Sequence, residues 1–143
     1  MLSGPLEAEP GDERAADRPS VLAAISAEMV RLYKEQLGRG PTKVRTNWAG
    51  RDTLVVVLED TFTPAERSLL NLGEANRLRE TRMLFQYSWA REFCAPVERL
   101  TGRKVRAFVS GLDTDADGTS MEAFVLHPEG YTGPSRADAV ASA

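Results

Sequence analysis

The chain has 143 residues, a formal net charge of −3 and one cysteine, Cys94. This length suits a single domain with its own hydrophobic core, and one cysteine excludes an internal disulfide. The longest aliphatic run, residues 54–58, is too short to cross a membrane, and no apolar leader follows Met1. We therefore predict a cytoplasmic protein without a transmembrane segment.

The charge is concentrated at the amino terminus. Residues 1–19 contain five acidic residues and two arginines, whereas residues 20–127 contain 15 Lys or Arg and 14 Asp or Glu. Because dedicated nucleic-acid-binding domains are strongly basic, the nearly neutral charge of residues 20–127 argues against such a domain. The proline-rich and mostly polar composition of residues 1–19 predicts a flexible acidic tail.

The first predicted element is a helix over residues 21–37. Apolar residues recur there at three- and four-residue spacing, Ser20 can cap the start, and Gly38 and Pro41 end the helix. Alternation over 43–49 and a β-rich run over 53–58, joined by a turn, predict a hairpin whose second strand is the more buried.

A capping box follows this hairpin. Thr63, Pro64 and Glu66 have the spacing in which the Thr63 hydroxyl accepts from the Glu66 amide and the Glu66 carboxylate accepts from the Thr63 amide. Pro64 falls at the first helical position, where its missing N–H has no cost. Although Thr63 and Glu66 could serve chemistry in principle, we interpret them as the start of a short helix that Gly73 breaks or bends.

A second, longer helix is predicted from Glu74 to Leu100, kinked or divided at Pro96. Such a helix would be about 40 Å long, against about 20 Å for the sheet. Either Pro96 folds it back, or the overhang with Met83, Tyr87 and Trp89 packs on a second subunit. We expect the second outcome, a homodimer formed through this long helix.

Two further strands are predicted over residues 104–110 and 120–126, with a polar loop over 111–119 between them. From residue 128 onward, glycine, proline and alanine predict a second flexible tail. The order α-β-β-α-α-β-β predicts one two-layer α+β domain over residues 20–127. Its two β-hairpins would form a mostly antiparallel sheet that helices cover on one face.

The Asp-rich loop and two arginines are candidate binding sites. Asp113, Asp115, Asp117 and Gly118 resemble the first half of an EF-hand loop, but position twelve is Phe124, so calcium is the weaker interpretation and a solvated hairpin loop the stronger one. Arg82 lies at the edge of the apolar helix face, where a snorkelling arginine is the favoured interpretation, and pairing with an acid such as Glu66 or binding of an anion are the alternatives. Arg103 is expected to contact the last helical carbonyls.

We predict no catalytic residue, no metal and no cofactor. Cys94 follows Phe93 on the long helix and has no evident basic partner, so a buried thiol is favoured over a nucleophile. His127 is the single histidine. The chain is accordingly predicted not to be an enzyme.

The remaining candidate is a basic sheet face. Lys43, Arg45 and Asn47 share one side of the first strand, and Lys104, Arg106 and Phe108 share one side of the third. If these strands were neighbours, they would form a cationic platform able to hold a small anion, a nucleotide or RNA. An ordinary solvated face is the favoured alternative.

Four stretches, taken together, resemble the MpsC-like family, and the resemblance covers residues 20–127. They are Thr63-Pro64-Ala65-Glu66-Arg67-x-Leu69-Leu70-x-x-Gly73, Arg82-x-x-Phe85-Gln86, the run from Val97-Glu98-Arg99-Leu100-Thr101-Gly102 to Ser110, and Glu122-x-Phe124-Val125-Leu126. The resemblance implies a small soluble protein associated with a sodium-translocating, membrane-potential-generating system linked to inorganic-carbon uptake. It supplies no catalytic residues to carry over.

Two functions follow as expectations. The first is a non-enzymatic accessory or regulatory domain that contacts partner proteins, including a membrane complex. The second is a binding module for a small anion, nucleotide or RNA that uses Lys43, Arg45, Lys104 and Arg106.

Overall fold

The computed structural model describes residues 20–138. Its helices are α1 (Val21–Leu37), α2 (Pro64–Asn71), α3 (Ala75–Ser88) and α4 (Ala90–Thr101), and its strands are β1 (Lys43–Trp48), β2 (Thr53–Glu59), β3 (Val105–Leu112) and β4 (Ser120–Leu126). The Ser20 hydroxyl caps α1 by accepting from the Ala23 amide, and Gly38 ends α1 with a φ of 85°. Both features were predicted.

The four strands form one open antiparallel sheet in the order β1-β2-β4-β3. The two hairpins therefore meet through β2 and β4, which places β1 and β3 at opposite edges. The predicted α+β class, with an antiparallel sheet built from two hairpins, is confirmed.

Side chains of directly paired antiparallel residues lie on the same face, and this separates the two faces of the sheet. The covered face carries Leu54, Val56 and Leu58 of β2, which are fully buried beneath the helices together with Phe124 of β4. The opposite side is the open sheet face, and no helix formed by residues 20–138 covers it. Its residues are Lys43, Arg45, Asn47, Thr53, Val55, Val57, Glu59, Ala107, Val109, Gly111, Met121, Ala123 and Val125.

The predicted long helix is divided, but at Trp89 and not at Pro96. The Trp89 amide still bonds to the carbonyl oxygens of Phe85 and Gln86, while its ring stacks on Phe85 at a centroid distance of 5.7 Å. Pro96 lies inside α4 and is buried. The prediction of a division at Pro96 was therefore wrong.

Dividing the chain at Trp89 removes the predicted overhang. Helices of 14 and 12 residues are about 21 and 18 Å long, which matches the sheet. Met83, Tyr87 and Trp89, expected on a second subunit, instead pack partly buried against this chain's own two core clusters. The homodimer stays a prediction, without the overhang from which it was argued.

The flanking segments were predicted to be flexible tails. Residues 1–19 and 139–143 lie outside the described residues. Residues 128–138 differ from the prediction, because Ser135 and Ala137 are buried and Ala137 joins the main core cluster. The domain therefore extends beyond residue 127.

The capping box of α2 is confirmed. The Thr63 hydroxyl accepts from the Glu66 amide at 3.1 Å, and the Glu66 carboxylate accepts from the Thr63 amide at 2.9 Å.

We expect Thr63→Ala to lower the free energy of unfolding by about 1 kcal/mol, because the Glu66 amide loses its acceptor. Urea denaturation checks this value. Thr63→Ser keeps the hydroxyl and should stay close to wild type; an equal loss in both variants would contradict the capping role.

Candidate functional site

The largest buried polar side chain lies between α3 and the sheet. Arg82 is 1% exposed, and its guanidinium makes a two-bond contact with Glu66, at 2.7 Å from Nε to Oε2 and 2.6 Å from Nη2 to Oε1. It also donates to the Thr61 carbonyl oxygen and to the hydroxyls of Thr61 and Ser120. The structure shows the alternative in which Arg82 pairs with Glu66, whereas the favoured snorkelling arginine was wrong, because the side chain is buried. The guanidinium is thereby occupied by groups of this chain.

A second polar cluster adjoins the first on β4. Glu122 is fully buried, and its Oε2 accepts from the Tyr33 hydroxyl and from the Gln86 amide nitrogen. Within residues 20–138, Oε1 of Glu122 and Oε1 of Gln86 have no hydrogen-bond partner. Two unpaired buried acceptors are costly, and a proton on Glu122 would remove the charge from one of them.

Burial sets the protonation of this cluster. It raises the pKa of Glu122 to about 7, against the lowering effects of the Tyr33 and Gln86 hydrogen bonds and of the Arg82 charge. Burial and the neighbouring Glu122 also raise the pKa of Tyr33 well above its ordinary value. Tyr33 therefore remains a donor, and Glu122 exchanges its proton near neutral pH.

The sequence alone did not single out Glu122 as a site residue, although the signal was present. Ser120, Glu122, Phe124 and Leu126 alternate with Met121, Ala123 and Val125, so a buried Phe124 requires Glu122 to face the core as well. The signal is an acidic residue that shares the alternate positions of a strand with its buried residues, so that its side chain faces the covered side of the sheet.

Cys94 is buried, as predicted. Burial raises the pKa of its thiol to about 12, so the thiolate that a nucleophile requires is scarce at neutral pH. Stacking at 3.6 Å joins His127 to the ring of Tyr131.

The basic platform assumed that β1 and β3 were neighbours, and this assumption was wrong. Two strands separate them, so Lys43 and Arg45 lie about 14 Å across the sheet from the Arg106 strand. A register shift between Val105 and Ala107 adds Arg106 as an extra residue, which turns Phe108 into the core. The cations that sequence alternation grouped are therefore divided between two edges.

Arg103 also differs from its prediction. Its Nε donates to the His127 carbonyl oxygen at 2.8 Å, and its Nη2 donates to the Asp52 carboxylate. The guanidinium thus ties the end of β4 to the turn between β1 and β2, and does not contact the last carbonyls of α4. Lys104, beside it, immediately precedes β3.

The Asp-rich loop does not form a ligand set. Within residues 20–138, no three His, Cys, Asp or Glu side chains are grouped so that they could hold a metal ion. Asp113 accepts instead from the Asp115 amide, and Asp117 accepts from the Thr119 hydroxyl. Gly118 has a φ of 78°, and an added Cβ would lie 2.8 Å from the Phe62 ring. The weak calcium candidate is replaced by a hairpin loop held by local hydrogen bonds.

The open sheet face is the surface that sequence reasoning missed. Its centre is apolar: Val55, Val57, Ala123 and Val125 are partly exposed, Met121 is 47% exposed and Val109 is 57% exposed. The aliphatic residues on both sides of β2 gave the signal, but from the sequence they indicated only that β2 is the more buried strand of its hairpin. Lys43 and Arg45 border this apolar area along β1, where Glu59 provides a carboxylate 3.8 Å from Arg45.

Across residues 20–138, the helices lack the length and apolar character that crossing a membrane requires. In comparisons with known proteins, the MpsC family model, described as the Na⁺-translocating membrane potential-generating system, matches residues 18–128. Neither the curated proteins nor the solved structures contain a match.

Proposed function

Because the chain belongs to the MpsC family, we propose that it is a cytosolic, non-enzymatic accessory domain that docks on a protein component of a Na⁺-translocating system through its open sheet face. The single observation that carries this proposal is the apolar centre of that face. Antiparallel sheets with one solvated face normally alternate apolar and polar residues, whereas β2 and β4 carry apolar residues on both faces. Such a surface is typical of an interaction site.

The size of the face suits a moderate interface. Four strands at about 4.8 Å spacing and about 22 Å in length give about 400 Å² in projection. This is the size of the functional patches found on soluble proteins, and it is below the roughly 800 Å² that each partner contributes to a standard complex. A reversible contact fits these dimensions better than a permanent one.

The charges favour a different protein over a second copy. In a face-to-face pair with a two-fold axis across the strands, β1 lies over a second β1 that runs the other way, and the open-face residues of that strand, Lys43, Arg45 and Asn47, include no carboxylate. With the axis along the strands, β1 lies over β3, whose open-face residues Ala107, Val109 and Gly111 carry no charge and whose exposed bulge residue, Arg106, is also a cation. The complementary partner therefore has an apolar surface with carboxylates along one side.

The affinity of sheet-face variants for the detergent-solubilised Na⁺-translocating system of the same organism tests this proposal. We expect Met121→Asp to weaken binding at least tenfold, because an unpaired carboxylate would be buried at the centre of the interface. Lys43→Glu should weaken binding and reduce its dependence on salt. Biolayer interferometry measures both effects.

Leu84→Asp is the matched control, since Leu84 is 69% exposed on α3, away from the sheet. It should bind like wild type. Equal affinities for Met121→Asp and Leu84→Asp would contradict the proposed surface. An absence of wild-type binding at partner concentrations of about 100 μM would contradict the proposed function. Light scattering that shows a dimer lost in Met121→Asp would assign the face to a second copy instead.

A further inference from the structure

A groove between helices α1, α2 and α3 has features of a small-molecule site, and it lies away from the open sheet face. Its volume is about 450 Å³, and its lining includes Gln36, Leu69, Leu78, Thr81, Phe85 and Trp89. Sites for small organic ligands have volumes of roughly 300–1,000 Å³ and a mainly apolar and aromatic lining with a few polar groups. We refer to it as the helix groove.

The aromatic wall of the helix groove is already ordered. Phe85 and Trp89 stack with an interplanar angle of 15°, although Phe85 is 47% exposed. Leu78, on the floor, is fully buried. Parallel rings above an apolar floor favour a flat ring system over a branched aliphatic chain, because stacking adds to the burial of apolar area.

The polar groups define the charge of the ligand. Among residues 20–138, no Lys or Arg lines the helix groove, and Glu66 is the only carboxylate in its lining. Glu66 is neutralised by Arg82 and accepts from the Thr63 amide, so both oxygens have partners. An anion finds no cation there, and a cation would compete with Arg82. The lining therefore suits a neutral molecule.

One residue of the lining, Gln36, has an acceptor without a partner among residues 20–138, and a turn of its side chain would present this oxygen to a ligand. This atom, Oε1 of Gln36, is buried. A buried acceptor of this kind is stabilised by a ligand N–H or O–H. We propose that the helix groove binds a neutral, planar aromatic molecule that donates one hydrogen bond to Gln36. This inference is independent of the partner assigned to the open sheet face.

Indole is a suitable probe because it is planar and neutral and has one N–H donor, and 1-methylindole is its counterpart without the donor. In ¹H–¹⁵N correlation spectra of the full chain, indole should give saturable shifts confined to the lining residues, with a dissociation constant of about 1 mM for a ligand of this size. The affinity of 1-methylindole should be about three- to tenfold lower, the value of one neutral hydrogen bond. Removing the acceptor with Gln36→Leu should make the two probes equal.

A variant that fills the helix groove gives a second, independent test of binding. Ala65 is exposed at the second position of α2 and lines the helix groove, so Ala65→Trp should fill the groove without disturbing the core. It should abolish the saturable shifts, whereas Leu84→Ala, at an exposed position of α3 outside the lining, should leave them unchanged. Shifts scattered over the surface, shifts that persist in Ala65→Trp, or an absence of saturation by 5 mM would each overturn the proposal. Equal affinity of wild type for the two probes would overturn the role of Gln36.

Discussion

Arg82→Met is expected to lower the free energy of unfolding by about 3–5 kcal/mol, which is a large part of the stability of a domain of this size. The substitution keeps much of the side-chain volume but leaves the Glu66 carboxylate, the Thr61 carbonyl oxygen and the Ser120 hydroxyl without the donor that now binds them. An uncompensated carboxylate of which only 13% is exposed is the main cause of the loss. Urea denaturation at pH 7 measures the change.

Two further variants separate this effect from a general loss of packing. Glu66→Gln combined with Arg82→Met should recover part of the stability, because a neutral amide replaces the unpaired carboxylate and glutamine still completes the capping box. Arg67→Met is the matched control: Arg67 pairs with Asp60 but is 53% exposed, so its loss should cost less than about 1 kcal/mol. Equal costs for Arg82→Met and Arg67→Met would contradict a structural role for the buried pair.

Glu122 should make the stability depend on pH. Its pKa is about 7 in the folded chain and 4.5 when exposed, so the folded state holds the extra proton between these values. The contribution is complete below about pH 4.5, decreases as the pH rises through 7, and remains lost above it. From pH 5 to pH 8 this loss is on the order of 2–3 kcal/mol, since each unit of pKa difference corresponds to about 1.4 kcal/mol.

Glu122→Gln isolates this contribution, because glutamine is neutral at every pH and nearly isosteric. Its free energy of unfolding, minus that of wild type, should rise by on the order of 2–3 kcal/mol from pH 5 to pH 8, while all other titrating groups cancel in the difference. Chemical denaturation at four or five pH values gives this curve. Parallel pH profiles for the two proteins would show that Glu122 titrates alike in the folded and unfolded chains.

Local signals in the sequence predicted most of the elements. Ser20, Gly38 and the capping box at Thr63 act through hydrogen bonds and φ values within a few residues, so α1 and the start of α2 could be placed from the residues alone. Alternation and β-rich composition placed the four strands of the two hairpins for the same reason. Each of these features is decided by neighbours along the chain.

The predictions that were wrong concern features that depend on contacts between residues distant in the sequence. Neither Trp89 nor Ala90 is a helix breaker, and the chain turns there because α3 and α4 each bury one face on a sheet about 20 Å long. The order of the strands and the extra residue at Arg106 arise from pairing between β3 and β4, and alternation within β3 could not reveal them. The basic platform failed for this reason, and the open sheet face emerged only with the topology.

The measurement that tests the docking surface most directly is methyl NMR of the labelled chain during addition of the solubilised Na⁺-translocating system. The proposed function predicts that the methyl signals of Val55, Val57, Val109, Met121 and Val125 on the open sheet face lose intensity first. Leu72 and Leu84, which are 74% and 69% exposed in the helical layer, should keep theirs. Selective loss at Leu72 and Leu84, with the sheet-face methyl signals unchanged, would contradict the assignment of the open sheet face as the site of contact.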